Sequence, residues 1–213
     1  MYKITEIHAA GGGERLLLKI LSPDGSSETV TLGCGEYRRL GIKKGEIDEE
    51  LYKRLVRSAQ MDDALRRGVR ILGYGINSPK RLEDKLVSSG VSRETAKLAA
   101  RELCRRGYID EEDDAWRLAE GMIKKGYGKR KILSSLREKR FSSTALEAVC
   151  QRLDEVDFFE VCKEAARKKF KHLEPAPNEL QRAVSKLIAQ GFSLSEAKSA
   201  VSEMAKAARN SEQ

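Results

Sequence analysis

The residues with the clearest chemical potential are cations gathered in the middle of the chain. Five of them fall within eight positions and three more follow on the same predicted helix, with one tyrosine interleaved: Lys124, Lys125, Tyr127, Lys129, Arg130, Lys131, Arg137, Lys139 and Arg140. Such a group attracts phosphate backbones or acidic protein surfaces. Because Ile132 and Leu136 run through the same stretch, part of it is a solvated helix face. We interpret the group as a whole as a binding surface.

A second basic group lies upstream, on another predicted helix. It consists of Arg66, Arg67 and Arg70, with Tyr74 one turn beyond. Lys and Arg outnumber Asp and Glu by 20 to 13 in residues 62–140, but only by 10 to 9 in residues 1–61 and not at all, 11 to 11, in residues 141–213. Nearly all of the net charge of +8 therefore lies in the middle of the chain. This concentration favours an electrostatic docking surface over charge that only solubilises.

Residues suited to catalysis are few. The two histidines are His8, in a predicted strand, and His172, at a predicted helix end, and neither has a Ser or Cys nucleophile in a recognisable motif. Gly11–Gly13 lack the G-x-x-x-x-G-K-[ST] pattern that cradles phosphates, so they are better interpreted as a hairpin turn. We predict a protein that is not an enzyme and that uses no cofactor.

Metal-ligating side chains occur in two patterns. Asp110–Asp114 (DEEDD) could hold a divalent cation, but acidic residues before a helix that begins near Ala115 also favour the positive end of its dipole, and capping is the preferred interpretation. The cysteines form no C-x-x-C pair and have no His cluster nearby, so we predict reduced cysteines that act mainly as small hydrophobes. They are Cys34, Cys104, Cys150 and Cys162. We predict no metal site.

The first forty residues predict a small antiparallel sheet. Tyr2–Ile7 and Thr29–Leu32 alternate apolar and polar residues, Leu16–Leu21 is a short apolar run, and Gly- and Pro-containing turns separate the three. From Glu36 onward the pattern becomes helical and continues towards Gln60.

The rest of the chain is predicted to be helical and contains an internal repeat. Ser88–Ser92 recurs 50 positions later as Glu138–Ser142 and a further 51 positions later as Ala189–Ser193, and the flanking apolar residues shift with it. Each copy predicts three helices, the last two joined in a helix-turn-helix shape. Since one copy of about fifty residues cannot bury an ample core alone, neighbouring copies should stack.

The predicted fold is therefore mainly α. Three tandem three-helix, helix-turn-helix-like repeats form an elongated curved array, preceded by the small N-terminal antiparallel sheet. The sheet and its helix occupy residues 1–61, and the repeats occupy 62–110, 111–157 and 158–213. Serines are predicted to cap the third helix of each copy, and Glu174–Asn178 (EPAPN) interrupts the third copy after its first helix.

Membrane association is not expected. No stretch approaches the roughly 18 apolar residues that a spanning helix needs. The N-terminal residues MYKITEIHAAGGGE have neither an export nor a transit pattern. We predict a cytoplasmic monomer.

Three segments give the chain a resemblance to a known family. Arg106–Asp110 (RGYID) closes the first copy, Gly126–Lys129 (GYGK) lies between helices of the second, and Leu40–Glu46 precedes a helix. In this arrangement the sequence resembles the RecX family of recombination regulators over essentially its whole length. The turn Lys139–Phe141 departs from the family's pattern, because Arg140 stands where a glycine is usual.

The resemblance implies a modulator of RecA that acts in DNA repair, recombination and the SOS response. Members of the family lie in the groove of the RecA filament on single-stranded DNA. They suppress its ATP hydrolysis, strand exchange and co-protease activity without catalysing a reaction. The implied partners are the RecA nucleoprotein filament and single- or double-stranded DNA.

Two alternatives stay open. The helix-turn-helix shape also suits a direct nucleic-acid binder that regulates transcription or repair, with Lys97, Arg101 and Arg105 on the third helix of the first copy. At the start of that helix, however, only Arg93 is suited to reading bases. The other alternative is a metal-dependent nuclease that uses Asp110–Asp114.

Overall fold

The computed structural model describes residues 1–170 and 176–211, with side chains up to residue 207, and it is 66% helical. The chain divides into two compact units. The N-terminal unit comprises Met1–Gly75 and Leu82–Tyr108, and the C-terminal unit comprises Ile76–Arg81 and Ile109–Gln213. His172 and the first two residues of the predicted EPAPN interruption lie outside the described residues.

A four-stranded antiparallel sheet begins the N-terminal unit, with the strand order β3-β2-β1-β4. Its strands are β1 (Tyr2–Ala10), β2 (Arg15–Leu21), β3 (Ser27–Gly33) and β4 (Gly45–Ile47). The predicted N-terminal sheet is confirmed, with one strand more than expected. The spacing of the sequence did not indicate β4, because it has only three residues and pairs with β1 after the chain has passed through α1 (Cys34–Leu40).

The inner face of the sheet packs on the first long helix, α2 (Glu49–Gly73). Ile4, Leu18 and Leu32 of the strands and Leu55 of α2 are completely buried in one cluster. Burying each such side chain contributes about 1.5–3 kcal/mol relative to leaving it in water. The alternation in the sequence therefore sets which face of the sheet meets the helix.

The helix α2 passes without a break through residue 61, where the predicted N-terminal segment ends. It begins at the N-cap Asp48, whose carboxylate accepts the backbone N–H of Leu51 at 2.7 Å. At Gly68 a Cβ atom would lie 2.5 Å from Leu103 Cδ1, so the glycine lets α4 (Arg93–Arg105) pack closely. The repeat boundaries at 61, 110 and 157 stay predictions, since the compact units divide the chain at other positions.

The remaining helices carry the repeat. They are α3 (Pro79–Ser88), α5 (Glu111–Lys124), α6 (Lys129–Glu138), α7 (Ser143–Asp154), α8 (Phe158–Lys169), α9 (Pro177–Ala189) and α10 (Leu194–Ser211). In the C-terminal unit α5 to α10 enclose one apolar cluster, in which Phe192 and Cys162 are fully buried. Burial raises the pKa of the Cys162 thiol to about 12 and keeps it a neutral, packed side chain. In the described ranges no helix is long and apolar enough to cross a membrane.

The turn before the third helix has the same construction in every copy. The hydroxyls of Ser92, Ser142 and Ser193 accept backbone N–H groups three residues later, at 3.2, 3.3 and 3.1 Å. Two residues before each serine the backbone has a positive φ, at Gly90 (92°), Arg140 (61°) and Gly191 (98°). The predicted serine caps are thereby confirmed. Arg140 adopts a conformation that costs a residue with a side chain roughly 1–2 kcal/mol.

A second contact recurs from copy to copy within the C-terminal unit. The Ser78 hydroxyl, just before α3, donates to the carbonyl of Lys139 at 2.7 Å. The Gly128 N–H, just before α6, donates to the carbonyl of Gln190 at 2.9 Å. Donors and acceptors are shifted by 50 and 51 positions, as in the sequence repeat. In both cases the N-terminus of the second helix of one copy is hydrogen-bonded to the turn before the third helix of the following copy.

The Gly128 contact leaves no room for a side chain. A Cβ atom on Gly128 would lie 2.4 Å from the backbone of Gly191, and one on Gly191 would lie 2.4 Å from the Lys131 nitrogen. The N-terminus of α6 also donates from Arg130 N–H to the Gly191 carbonyl at 3.1 Å. Since the N-cap Gly128 has no side chain, backbone carbonyls of the third copy satisfy the first amides of α6.

Candidate basic binding surface

The predicted binding residues fall into both units. Four of them, Arg66, Arg67, Arg70 and Tyr74, lie at the C-terminal end of α2 in the N-terminal unit. The other nine lie between the end of α5 and the α6–α7 turn in the C-terminal unit. The two groups therefore belong to different compact units.

The arginines of α2 are largely bound to carboxylates of the same helix. Arg67 Nε lies 2.6 Å from Asp63 Oδ2, and its Nη1 donates to the Ser89 carbonyl at 2.7 Å. Arg66 lies 3.5 Å from both Asp62 and Asp63. The side chains of Arg66 and Arg67 are only 33% and 40% exposed. Their charges are matched locally, so they add little to any long-range field.

Arg70 and Tyr74 differ from these two arginines. Both are exposed, Tyr74 by 87%, and in the described part of the chain the Arg70 side chain has no ion-pair or hydrogen-bond partner. This end of α2 therefore offers one free guanidinium beside one exposed aromatic ring.

The outward face of α6 carries the clearest free charge. Ile132 and Leu136 are completely buried, whereas Arg130, Lys131 and Arg137 are exposed and have no side-chain partner among the described residues. Arg130 and Arg137 are two helical turns apart and so lie on nearly the same face. Because the backbone carbonyl of Gly191 holds the start of α6, these cations are presented from a fixed element.

Lys129 does not belong to this face. Its ammonium donates to Asp154 at the end of α7, and this hydrogen bond raises its pKa against the opposing effect of burial. The side chain is 30% exposed. Lys129 therefore ties α6 to α7 and contributes little free charge.

The other residues of the predicted run divide between surface and core. Tyr127 is half-buried and packs against the apolar cluster, so it presents less of its ring than Tyr74 does. Lys139 is half-buried, and its carbonyl accepts the Ser78 hydroxyl. Arg140 is exposed, at the turn with positive φ.

Lys124 and Lys125 open onto a cleft of about 520 Å³ against α8. Two further lysines, Lys168 and Lys169, line the same cleft from the last turn of α8. Sequence reasoning missed these two because they belong to the next copy, about forty positions away. The run Arg167-Lys168-Lys169 at a helix end was the available signal.

The acidic run Asp110–Asp114 forms the N-cap and first turn of α5. The Asp110 carboxylate accepts the Asp113 N–H at 3.1 Å, and Asp113 binds Arg117 at 2.7 Å. The helix begins at Glu111 rather than near Ala115, because the acidic residues form its first turn. Among the described residues no group of three or more His, Cys, Asp or Glu side chains could hold a metal ion.

The architecture defines a class of protein in which three-helix repeats with serine-capped turns follow an N-terminal antiparallel sheet along the chain. The sequence matches no family model, and no curated protein matches it. The structure is similar to a crystal structure of regulatory protein RecX, with a TM-score of 0.69 and 23% identity over 97% of this chain and 99% of that one. It is also similar to RecX from Lactobacillus salivarius, with a TM-score of 0.57 and 16% identity over 68% of this chain and 96% of that one. The chain therefore has the RecX fold.

Proposed function

We propose that this chain is a regulator that binds the RecA filament on single-stranded DNA and inhibits its ATPase, strand-exchange and co-protease activities. It acts as a monomer in the cytoplasm and catalyses no reaction itself. The observation that carries the proposal is the set of exposed cations on α6, which have no side-chain partner in residues 1–170 and 176–207, in a chain with the RecX fold.

The charge of α6 suits a nucleoprotein partner. Arg130, Lys131 and Arg137 are exposed and have no side-chain partner in the part of the chain that the structure describes, so they attract a polyanionic groove from a distance. The attraction is screened beyond about 10 Å at 0.1 M salt, which makes it strongest at low ionic strength. Binding should therefore weaken as salt rises.

The test is RecA's ATPase on single-stranded DNA at low salt. Wild-type protein is expected to inhibit it, and the triple reversal Arg130→Glu, Lys131→Glu, Arg137→Glu to require at least about tenfold more protein for the same inhibition. Lys129 is left unchanged, because its reversal would place a glutamate against Asp154 and confuse lost binding with lost stability.

A matched control reverses three exposed cations elsewhere in the same unit: Arg182, Lys198 and Lys206. This control should inhibit RecA nearly as well as wild type. Equal inhibition by both triple variants and wild type would show that α6 is not the binding surface. No effect of wild type on the ATPase would overturn the proposed function itself.

A direct nucleic-acid binder is the second candidate, and one observation favours it. Arg93, Lys97 and Arg101 recur every four residues along α4, and all three are exposed without a side-chain partner in the described ranges. This spacing places them on one stripe of the helix. A gel-shift titration without RecA separates the candidates, because tight, sequence-dependent duplex binding that Lys97→Glu and Arg101→Glu abolish would favour the second.

A further inference from the structure

The C-terminal unit contains a cleft whose chemistry differs from that of the α6 face. The end of α5 and the following turn form one wall, α8 forms the other, and Gln190 closes one part of the lining. At Gly126 a Cβ atom would lie 3.0 Å from Ala165 Cβ, so the turn approaches α8 closely there. The volume of about 520 Å³ is in the range of ligand-binding pockets.

The lining carries an excess of positive charge. Four lysines line the cleft together with two glutamates, Glu160 and Glu164. Glu160 is bound to Lys163, outside the lining, and Glu164 lies 3.7 Å from Lys168. The remaining lysines, Lys124, Lys125 and Lys169, are exposed and have no partner in the described part of the chain. A ligand with several negative charges is therefore favoured.

The floor between the lysines is partly apolar. Ile123 and Val161 line the cleft, are half-buried and pack on the core, and Ala165 lies against the turn at Gly126. A ligand that fits must carry aliphatic or main-chain surface as well as charge. An array of phosphates alone would leave this floor uncovered.

Gln190 supplies the observation that selects the ligand. Its Oε1 atom is buried and has no hydrogen-bond partner among the described residues. A buried acceptor without a donor is unfavourable, so turning the Gln190 amide towards the cleft, where a ligand can donate an N–H group to it, gains an interaction. A phosphodiester backbone presents only acceptors, whereas a polypeptide main chain presents an N–H at nearly every residue.

We propose that this cleft binds an acidic segment of a polypeptide in extended conformation. Its carboxylates meet Lys124, Lys125 and Lys169, its main chain covers the apolar floor, and one N–H donates to Gln190. That the segment belongs to a RecA filament rests on the proposed function, whereas binding of an acidic segment by the cleft does not.

The experiment uses the full chain without RecA and measures fluorescence anisotropy of two labelled probes. One probe is an unstructured twelve-residue peptide of alternating glutamate and alanine, and the other is an oligothymidylate with the same net charge. Lys124→Glu with Lys169→Glu should weaken peptide binding at least about tenfold and oligothymidylate binding much less. The control Lys198→Glu with Lys206→Glu carries the same charge change elsewhere in the unit and should alter peptide binding less than about twofold.

Gln190→Met is the second variant and needs no charge change. Loss of the hydrogen bond should weaken peptide binding about three- to tenfold without lowering the melting temperature, because Oε1 has no partner among the described residues of the free protein. Gln190 keeps its backbone contact to Gly128 in this variant.

Three outcomes would overturn the proposal. Peptide binding could fall equally in both double variants, which would mean non-specific attraction. Oligothymidylate binding could fall more than peptide binding, which would make the cleft a nucleic-acid site. Gln190→Met could leave peptide affinity unchanged. None of these results depends on inhibition of RecA, so failure here leaves the ATPase test intact.

Discussion

Two groups of basic residues that look alike in the sequence differ in what surrounds them. On α2, Asp62 and Asp63 lie one turn before Arg66 and Arg67 and bind them at 2.6–3.5 Å. On α6 the first turn contains no acidic residue, and its outward cations are exposed and unmatched in the described ranges. The first group stabilises its own helix, whereas the second is available to a partner.

The difference shows that the positive charge a helix offers to a partner depends more on the acidic residues within one turn than on the number of cations. A carboxylate in contact with a guanidinium cancels most of its field a few ångströms away. Exposed pairs of this kind add at most about 1 kcal/mol to stability. A count of Lys and Arg therefore overstates the free charge of the α2 group more than that of α6, where Lys129 alone is paired among the described residues.

The largest expected effect comes from disrupting the backbone hydrogen bonds that join the start of α6 to Gln190 and Gly191. Gly128→Ala places a Cβ atom 2.4 Å from the backbone of Gly191, which cannot move aside as a side chain could. We expect the free energy of unfolding to fall by about 3 kcal/mol, measured by urea denaturation. Binding through α6 should weaken with it, while the α2 ion pairs stay intact.

Gly121→Ala is the matched control for this change. Gly121 lies inside α5, where no described atom outside its chain neighbours and the nearby helix backbone lies within 4 Å of an added Cβ atom, so alanine should stabilise the helix by up to about 1 kcal/mol. If Gly128→Ala is as stable as Gly121→Ala, the close approach to Gly191 does not hold α6.

A gain of binding at the α2 group would test the same comparison, because it would follow from freeing a paired arginine. Asp63→Asn removes the carboxylate that both arginines share and leaves Arg67 unmatched. We expect salt-sensitive affinity for oligothymidylate to rise about two- to fivefold, measured by anisotropy. Glu14→Gln makes the same charge change at an exposed residue of the same unit and frees no arginine, so its effect should be smaller. Equal gains in both variants would show that net charge alone matters.

The smallest effect distinguishes two arginines of one helix. Arg67→Gln should change oligothymidylate affinity by less than about 1.5-fold, because its charge is already matched. Arg70→Gln removes an exposed guanidinium that no described residue pairs with, and it should weaken binding about twofold. The same titration measures both, and a larger loss from Arg67→Gln would contradict the proposed neutralisation.

The features that sequence reasoning predicted are those set by local spacing. Alternation identified the first and third strands, a short apolar run identified the second, and the repeat placed the capping serines Ser92, Ser142 and Ser193. The pairing of Arg66 and Arg67 with acids one turn earlier was also readable from the sequence by the i, i+4 rule, and was overlooked.

Contacts between distant segments could not be predicted in this way. Lys129 meets Asp154 twenty-five positions away, and β4 pairs with a strand more than forty positions before it. Lys168 and Lys169 join the cleft only because α8 packs beside the end of α5. Each of these depends on tertiary packing, which no local pattern encodes.

The central claim is tested most directly by binding to RecA filaments assembled on labelled oligothymidylate, with naked oligothymidylate measured beside them. Wild-type protein should bind the filament more tightly than the naked strand, and the Arg130, Lys131 and Arg137 reversal should lose at least about tenfold at low salt. Equal affinity for the filament and the naked strand, or a triple variant that binds the filament as wild type does, would contradict the account.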